Sequence, residues 1–208
     1  MKKLILSFLA SFSLLATVFA IDASVSTATF TTMNQNYIEI YTLIVGTSVN
    51  FVSIDTDSIN HQASVQMTVT FRKDSTIVKY DKYNLQSPIS KTNMNFIDLK
   101  RISLENGEYE MEVYIHDNNK VGNAGTFTSK VVVDYTADRL EQSDIQLLGS
   151  FKKEEGDSPF NKNGFYLEAL PFNFYGKKQN ELMFYNEIYN ADKFIGDDYM
   201  FTYCVEKV

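Results

Sequence analysis

The sequence predicts an all-β protein, with an immunoglobulin-like antiparallel β-sandwich followed by a second, smaller β-domain. Three observations predict this class. Apolar and polar residues alternate with a period of two, turn-rich stretches recur at short intervals, and strand-favouring aromatic residues are abundant (16 Phe and 13 Tyr). About seven strands fall between residues 25 and 136, which suits an immunoglobulin-like sandwich.

Two runs predict the central strands of this sandwich. Residues 62–71 alternate cleanly between one apolar and one polar face, and residues 109–116 do the same. Such alternation indicates a strand with one face in the core and one in water. The predicted core faces are Val65, Met67, Val69 and Phe71 in the first run, and Tyr109, Met111, Val113 and Ile115 in the second.

Weaker runs predict the remaining strands of the sandwich. They cover residues 37–45, 49–54, 76–83, 95–102 and 127–133. Stretches rich in Gly, Pro, Asn, Asp and Ser separate them, at residues 55–60, 86–93, 105–107 and 117–125.

Tyr109 is predicted to form a tyrosine corner. Gly107 lies in a turn two residues before it, and Tyr109 opens a strong strand. In sandwiches of this kind such a tyrosine hydroxyl bonds back to an upstream backbone group. The alternative is an ordinary core tyrosine, and the role is structural in both cases.

The second β-rich domain is predicted for residues 139–208, after a first domain at residues 21–138. It holds a strand-like run at residues 143–148 and a polar loop at residues 152–163. Its phenylalanines are predicted core residues, with a stacking platform for glycans or peptides as the alternative. They are Phe172, Phe174, Phe184, Phe194 and Phe201.

This second domain is expected to be incomplete within the sequence, because four or so aromatic strands expose more apolar area than a small sheet covers alone. Later residues of a longer protein, the first domain, or a second copy of the chain are the three candidates for the missing cover.

Residues 1–20 have the pattern of a secretory signal peptide. Lys2 and Lys3 precede an apolar run, and Ala20 is the small residue before the cut. We expect the mature chain to begin at Ile21 and to be periplasmic, associated with the outer membrane, or secreted. No lipid anchor is expected, because Ile21 stands where a lipid-bearing cysteine is required. An uncleaved membrane anchor is the alternative.

The net charge of the chain limits its classes of binding partner, and its cysteine content limits its disulfide bonds. The chain carries a net charge of −7, which becomes −9 without residues 1–20 because these contain two lysines and no acid. This balance argues against nucleic acid and anionic membranes as partners. Cys204 is the only cysteine, so the chain forms no internal disulfide, and its strand-like surroundings predict a buried, inert thiol.

No catalytic, cofactor-binding or metal-binding residue is assigned from the sequence, and no cofactor is predicted. Asp55 with Asp57, and residues 117–119, offer oxygen atoms that calcium prefers, but their positions favour ordinary turn chemistry. His61 and His116 are too few for a three-histidine zinc site.

Four strings, taken in order, resemble the N-terminal part of exported Bacteroidota proteins named for a Gly-Trp-x-Thr-Asp motif. They are residues 37–41, 107–113, 143–148 and 184–189. The resemblance supplies no catalytic residues, and the chain departs from that family in having no Trp, so the naming motif is absent. It implies either the front portion of such a protein or a shortened relative, and it favours later residues as the missing cover.

The leading hypothesis is therefore a non-catalytic, exported β-sandwich module of the bacterial envelope with a role in protein binding or assembly. Exposed sheet edges would pair with strands of protein partners. The alternative is a carboxylate-dependent hydrolase with its site in the loops between strands.

Overall fold

The computed structural model describes residues 20–172, 174–176, 180–196 and 198–206. The predicted signal peptide therefore lies outside the described residues, apart from Ala20. The strands of the first half are β1 (Ala23–Thr31), β2 (Asn36–Ile44), β3 (Phe51–Ser53), β4 (His61–Lys73), β5 (Thr76–Gln86), β6 (Phe96–Ser103), β7 (Gly107–Asp117) and β8 (Ala124–Val133). The all-β prediction is confirmed, and β1 is a strand that the sequence pattern missed.

Strands β1 to β8 form two antiparallel sheets that pack face to face. One sheet has the order β1-β2-β6. The other has the order β4-β7-β8, with β3 and β5 lying one after the other along the remaining side of β4. Sheet-on-sheet packing of this kind buries the inward face of each strand and leaves alternate residues outside.

The core between these sheets is built by the residues that the alternation pattern predicts. The predicted inward residues of β4 are fully buried, and those of β7 are at most 8% exposed. Ile38, Ile40 and Ile44 of β2 face them from the opposite sheet in the same buried cluster. The period-two prediction for β4 and β7 is therefore confirmed.

The predicted contact of the Tyr109 hydroxyl is present. Its Oη donates a hydrogen bond of 2.9 Å to the backbone carbonyl of Glu105, four residues upstream. The ring packs edge-on against Phe71, with 6.2 Å between ring centroids. Gly107 leaves room for this hydroxyl, because a Cβ at that position would lie 3.2 Å from Oη.

The second half of the chain forms a smaller β unit. Its strands are β9 (Glu141–Gln142), β10 (Gln146–Lys153), β11 (Asn161–Lys162), β12 (Phe165–Ala169), β13 (Met183–Tyr185) and β14 (Ile188–Tyr189), followed by helix α1 (Ala191–Phe194). Four of them form a sheet of order β11-β12-β10-β13, and β14 pairs with β9. None of the described strands joins a sheet of the first half.

This β unit packs on the outer face of the β1-β2-β6 sheet. Ala28, Phe30 and Tyr41 of that sheet form a second buried cluster with Ala169 of β12, and Tyr185 packs against it. The sequence left three candidates for what covers the apolar face of this β unit. The first domain therefore supplies at least part of that cover.

Two predictions for the second half are wrong. Cys204 was expected to be a buried thiol in a strand, but it is exposed and residues 198–206 form no strand. The aromatic core is also not seen, since Phe172, Phe174, Phe194 and Phe201 are 38–66% exposed and Phe184 is half-buried. The physical reason is size, because strands of two to eight residues cannot enclose so many rings.

Candidate functional site

The open side of the sandwich lies between β1 and β8, which belong to opposite sheets. Each of these edge strands has a full-length partner on one side only. The two strands meet at one end, where the Ile21 N–H donates to the Ala124 carbonyl at 3.4 Å. Edge strands expose backbone groups that a further strand can pair with, so this side is a candidate binding site.

Bonds at Thr29 show which backbone groups of β1 face outward. Its N–H donates to Asp144 Oδ2 at 2.8 Å, and its carbonyl accepts from the Asp144 N–H at 3.2 Å. Thr29 therefore faces away from β2. Because bonding direction alternates along an antiparallel strand, Val25 and Thr27 face the same way. The structure shows no bond from these two outward pairs to another described residue.

The same argument applies to β8. The Ala124 carbonyl faces β1, since it accepts from Ile21, while the Asn123 carbonyl accepts from Asp117 on the β7 side at 2.9 Å. Alternation then directs the backbone groups of Thr126 and Thr128 outward, towards β1. Both edges therefore present unpaired N–H and C=O groups to the space between them.

A groove of about 560 Å³ occupies this space, within the roughly 300–1,000 Å³ common for ligand sites. Its lining combines apolar side chains with hydroxyls and contains no charged residue. The lining residues are Val25, Ser26, Thr27, Met111, Thr126, Phe127, Thr128, Ser129 and Ile145. An uncharged groove with free backbone groups along its walls suits an extended peptide better than an ionic substrate.

Asp144 caps the edge of β1 next to this groove. Besides its bonds to the Thr29 backbone, its Oδ2 accepts from Thr29 Oγ1 at 2.7 Å. The Tyr135 hydroxyl donates to the Thr29 carbonyl at 2.7 Å, and burial raises the pKa of Tyr135 to about 12. The edge of β1 is thus capped by side chains at Thr29 and left open at Val25 and Thr27.

A second cluster joins the two halves of the chain around Lys162 of β11. Its Nζ lies 3.4 Å from Glu39 Oε1 and 3.3 Å from Glu187 Oε1. Arg101 reaches Glu39 as well, with 2.7 Å between Nε and Oε1. Lys162 and Glu39 are 10% and 1% exposed, so the centre of this ion network is shielded from solvent, while Arg101 at its edge is 37% exposed.

Aromatic rings surround the Lys162 ammonium. Nζ lies 3.0 Å from the ring centroid of Phe30, 5.3 Å from that of Tyr37 and 5.2 Å from that of Tyr185, all within cation–π range. Burial lowers the pKa of Lys162, while Glu39 and Glu187 act in the opposite direction. The cluster already holds its own cation and joins residues of both halves of the chain, so its role is to fasten the β unit to the sandwich.

The tyrosines of this cluster predict alkaline unfolding. Burial first, and then bonding to Glu39 or Glu187, raises the pKa of Tyr41, Tyr185 and Tyr189. Unfolded tyrosines lose their protons near pH 10 whereas these stay neutral, so stability is full below about pH 10 and falls as pH rises above it.

We expect tyrosinate absorbance from the buried tyrosines and loss of the β circular dichroism signal to coincide in one transition above about pH 10. A complete absorbance change with an unaltered circular dichroism spectrum would contradict the burial of these hydroxyls.

Asp55 and Asp117, which the sequence offered as possible calcium ligands, accept hydrogen bonds from protein groups in the structure. Asp55 accepts from the backbone of Ile59 and from Asn60 in its own turn. Asp117 is fully buried and accepts from the Asn50 N–H, the Asn119 N–H and Asn123 Nδ2 at 2.8–3.0 Å. Within the described ranges no three acidic, histidine or cysteine residues are placed to hold a metal ion.

Two features of these sites had no usable signal in the sequence. The groove depends on which strands end up at the sheet edges, and β1 is too rich in Ser and Thr to be recognised by alternation. The Lys162 network joins residues 123 positions apart in the chain. Pairing of this kind follows from the docking of the two halves, which local patterns do not encode.

Comparison with known proteins adds no assignment. No protein-family model matches the chain. A search of curated proteins likewise finds no significant match. The resemblance to the Gly-Trp-x-Thr-Asp proteins therefore stays a prediction. For the part of the chain that the structure describes, no helix has the length and apolarity to cross a bilayer.

Proposed function

We propose that this protein is a non-catalytic, exported β-sandwich module of the bacterial envelope, and that it binds protein by accepting an extended strand between β1 and β8. The observation that supports this most is the pair of unbonded strand edges facing each other across one uncharged groove. Main-chain bonds to an added strand give affinity, and side-chain pockets along it give specificity.

The composition of the groove favours a peptide over a small polar molecule. Outward backbone groups at Val25, Thr27, Thr126 and Thr128 supply donors and acceptors on two sides. The apolar side chains of Val25, Phe127 and Ile145, which are at least partly exposed, supply area for alternate side chains of a bound strand. Hydroxyl groups along the walls keep the unoccupied groove compatible with water.

The carboxylate-dependent hydrolase receives no support from the arrangement of acids. The groove lining contains no carboxylate. Two acids that do lie near each other, Glu39 and Glu187, already share the Lys162 ammonium between them. A glycosidase-type pair needs two carboxylates with room for a substrate between them.

Export and the immunoglobulin-like assignment are part of the same proposal. Export rests on the basic, apolar and small-residue pattern of residues 1–20. The immunoglobulin-like assignment rests on the strand count and on the Tyr109 contact with Glu105. The bacterial envelope follows from export together with the Bacteroidota resemblance.

Thr128→Pro is expected to abolish capture of partner proteins from an envelope extract while leaving the fold intact. Proline removes the outward N–H that an added strand would use, and Thr128 is exposed and takes no ladder bond through that N–H. Thr128→Ala is the matched control, because it shortens the same side chain and keeps the N–H.

The comparison is made by quantitative mass spectrometry of proteins retained by each variant, with thermal melts to confirm equal folding. Equal retention by Thr128→Pro and Thr128→Ala would count against strand addition at β8.

A further inference from the structure

Residues 199–205, here called the tail segment, have the sequence of a strand but lack one in the structure. Tyr199, Phe201, Tyr203 and Val205 alternate with Met200, Thr202 and Cys204. The described segment is irregular, and Met200 and Tyr203 are 89% and 67% exposed. Its backbone makes no hydrogen bond to another described residue. The Tyr203 ring packs edge-on against Phe184 with 5.0 Å between ring centroids, but among the described residues no strand pairs with the tail segment.

We propose that the tail segment of one copy adds as a strand to the groove between β1 and β8 of a second copy. This inference rests on the proposed function, because it uses the same strand-accepting groove and names its occupant. The donor surface and the acceptor groove are different parts of the chain. Such a contact is heterologous, so copies associate head to tail in an open chain or exchange tails in a closed pair.

Charge supports this pairing. The chain contains 45 charged residues, yet neither the tail segment nor the groove lining includes one. A charged side chain brought into the groove would lose hydration without finding an ionic partner there. An uncharged strand avoids that cost. Although the chain as a whole is negatively charged, no charged side chain of the tail segment or of the groove lining would meet another in this contact.

The lengths of the tail segment and of the open part of β1 also support this pairing. The open part of β1 runs from Ala23, beside the contact of Ile21 with Ala124, to Ala28, before the cap at Thr29. Six residues of strand span roughly 20 Å, and the seven-residue tail segment covers about the same distance. Its rings would lie on the face that meets Phe127 and Ile145 of the groove.

The single cysteine provides a direct test in the full chain. Cys204 lies within the tail segment, so a cysteine introduced in the groove reports their proximity. Thr126→Cys and Thr128→Cys are oxidised mildly and run on non-reducing gels beside Thr76→Cys, which lies on the distant edge strand β5. Neighbouring strands bring Cα atoms within the distance that a disulfide requires.

We expect at least one groove variant to give a ladder of covalent dimers and higher species, several-fold more abundant than with Thr76→Cys or wild type. Adding Cys204→Ser should remove the ladder. A disulfide confined to the monomer, or yields no higher than those of Thr76→Cys, would overturn the inference. If the ladder is absent but Thr128→Pro still abolishes partner capture, self-pairing fails while the proposed function stands.

Discussion

Lys162→Met is expected to lower the free energy of unfolding by about 3 kcal/mol, at the low end for breaking a buried ion network. The methionine keeps most of the apolar stem, so the loss comes from the charge. Among the described residues Glu187 would be left without an ionic partner, and Glu39 would retain Arg101. The buried Glu39 and the largely buried Glu187 would then have one cation fewer, which is costly in a low-dielectric site.

Denaturant unfolding measures this loss, with Lys152→Met as the control. Lys152 also pairs with a glutamate, Glu154, and lies near a tyrosine ring, but its side chain is 64% exposed. Its replacement should leave stability unchanged, because solvent screens exposed pairs. If Lys162→Met proves as stable as wild type, the attraction of the ammonium merely offsets the cost of burying it, and the fastening role is wrong.

Tyr109→Ala is expected to destabilise the sandwich by about 3–5 kcal/mol, because it removes a large aromatic side chain from the core. The ring is 8% exposed and meets Phe71 edge-on, so little of the space would be refilled. Tyr109→Phe keeps the ring and removes only the hydrogen bond to Glu105. Its expected cost is about 1 kcal/mol.

The two Tyr109 variants separate packing from the hydroxyl contact, and denaturant melts of both give the two costs. A Phe variant with wild-type stability would show that the Glu105 bond adds nothing to stability beyond what water provides in the unfolded chain. The Tyr109→Ala variant alone would then test whether the ring is a core residue.

The central strands of the sandwich could be predicted because one face of each strand is apolar and the other is mainly polar. Along residues 65–71 of β4 and 109–115 of β7 every second residue is a large apolar side chain, and each of these side chains is buried. Strand β1 escaped prediction since small hydroxyl residues occupy both of its faces. Its burial comes from the sheet and the β unit on either side, not from its own hydrophobicity.

The β-rich character of the second half was predicted correctly, but the residues predicted to form its core are largely exposed. Its rings lie partly on the outside, as at Phe174, and partly at the junction with the sandwich, as at Tyr185. An aromatic residue is equally suited to a core, a junction or an exposed contact surface. Composition therefore did not distinguish these roles, and the same ambiguity affected Cys204.

The candidate site could not be read from the sequence because it consists of backbone groups. Residues such as Thr27 and Thr128 have no distinctive chemistry of their own, and their importance comes from lying on edges that no other strand covers. Sheet order and register decide which strands become edges. Patterns within single strands contain no information on that order.

Amide hydrogen exchange, followed residue by residue in the dilute chain and in its complex with captured partner protein, tests the strand-accepting groove most directly. In the free chain the amides of Val25, Thr27, Thr126 and Thr128 should exchange fast while alternate residues such as Ala28 are protected. In the complex these four amides should become protected. Protection confined to β5, with the four groove amides still exchanging freely, would contradict the account.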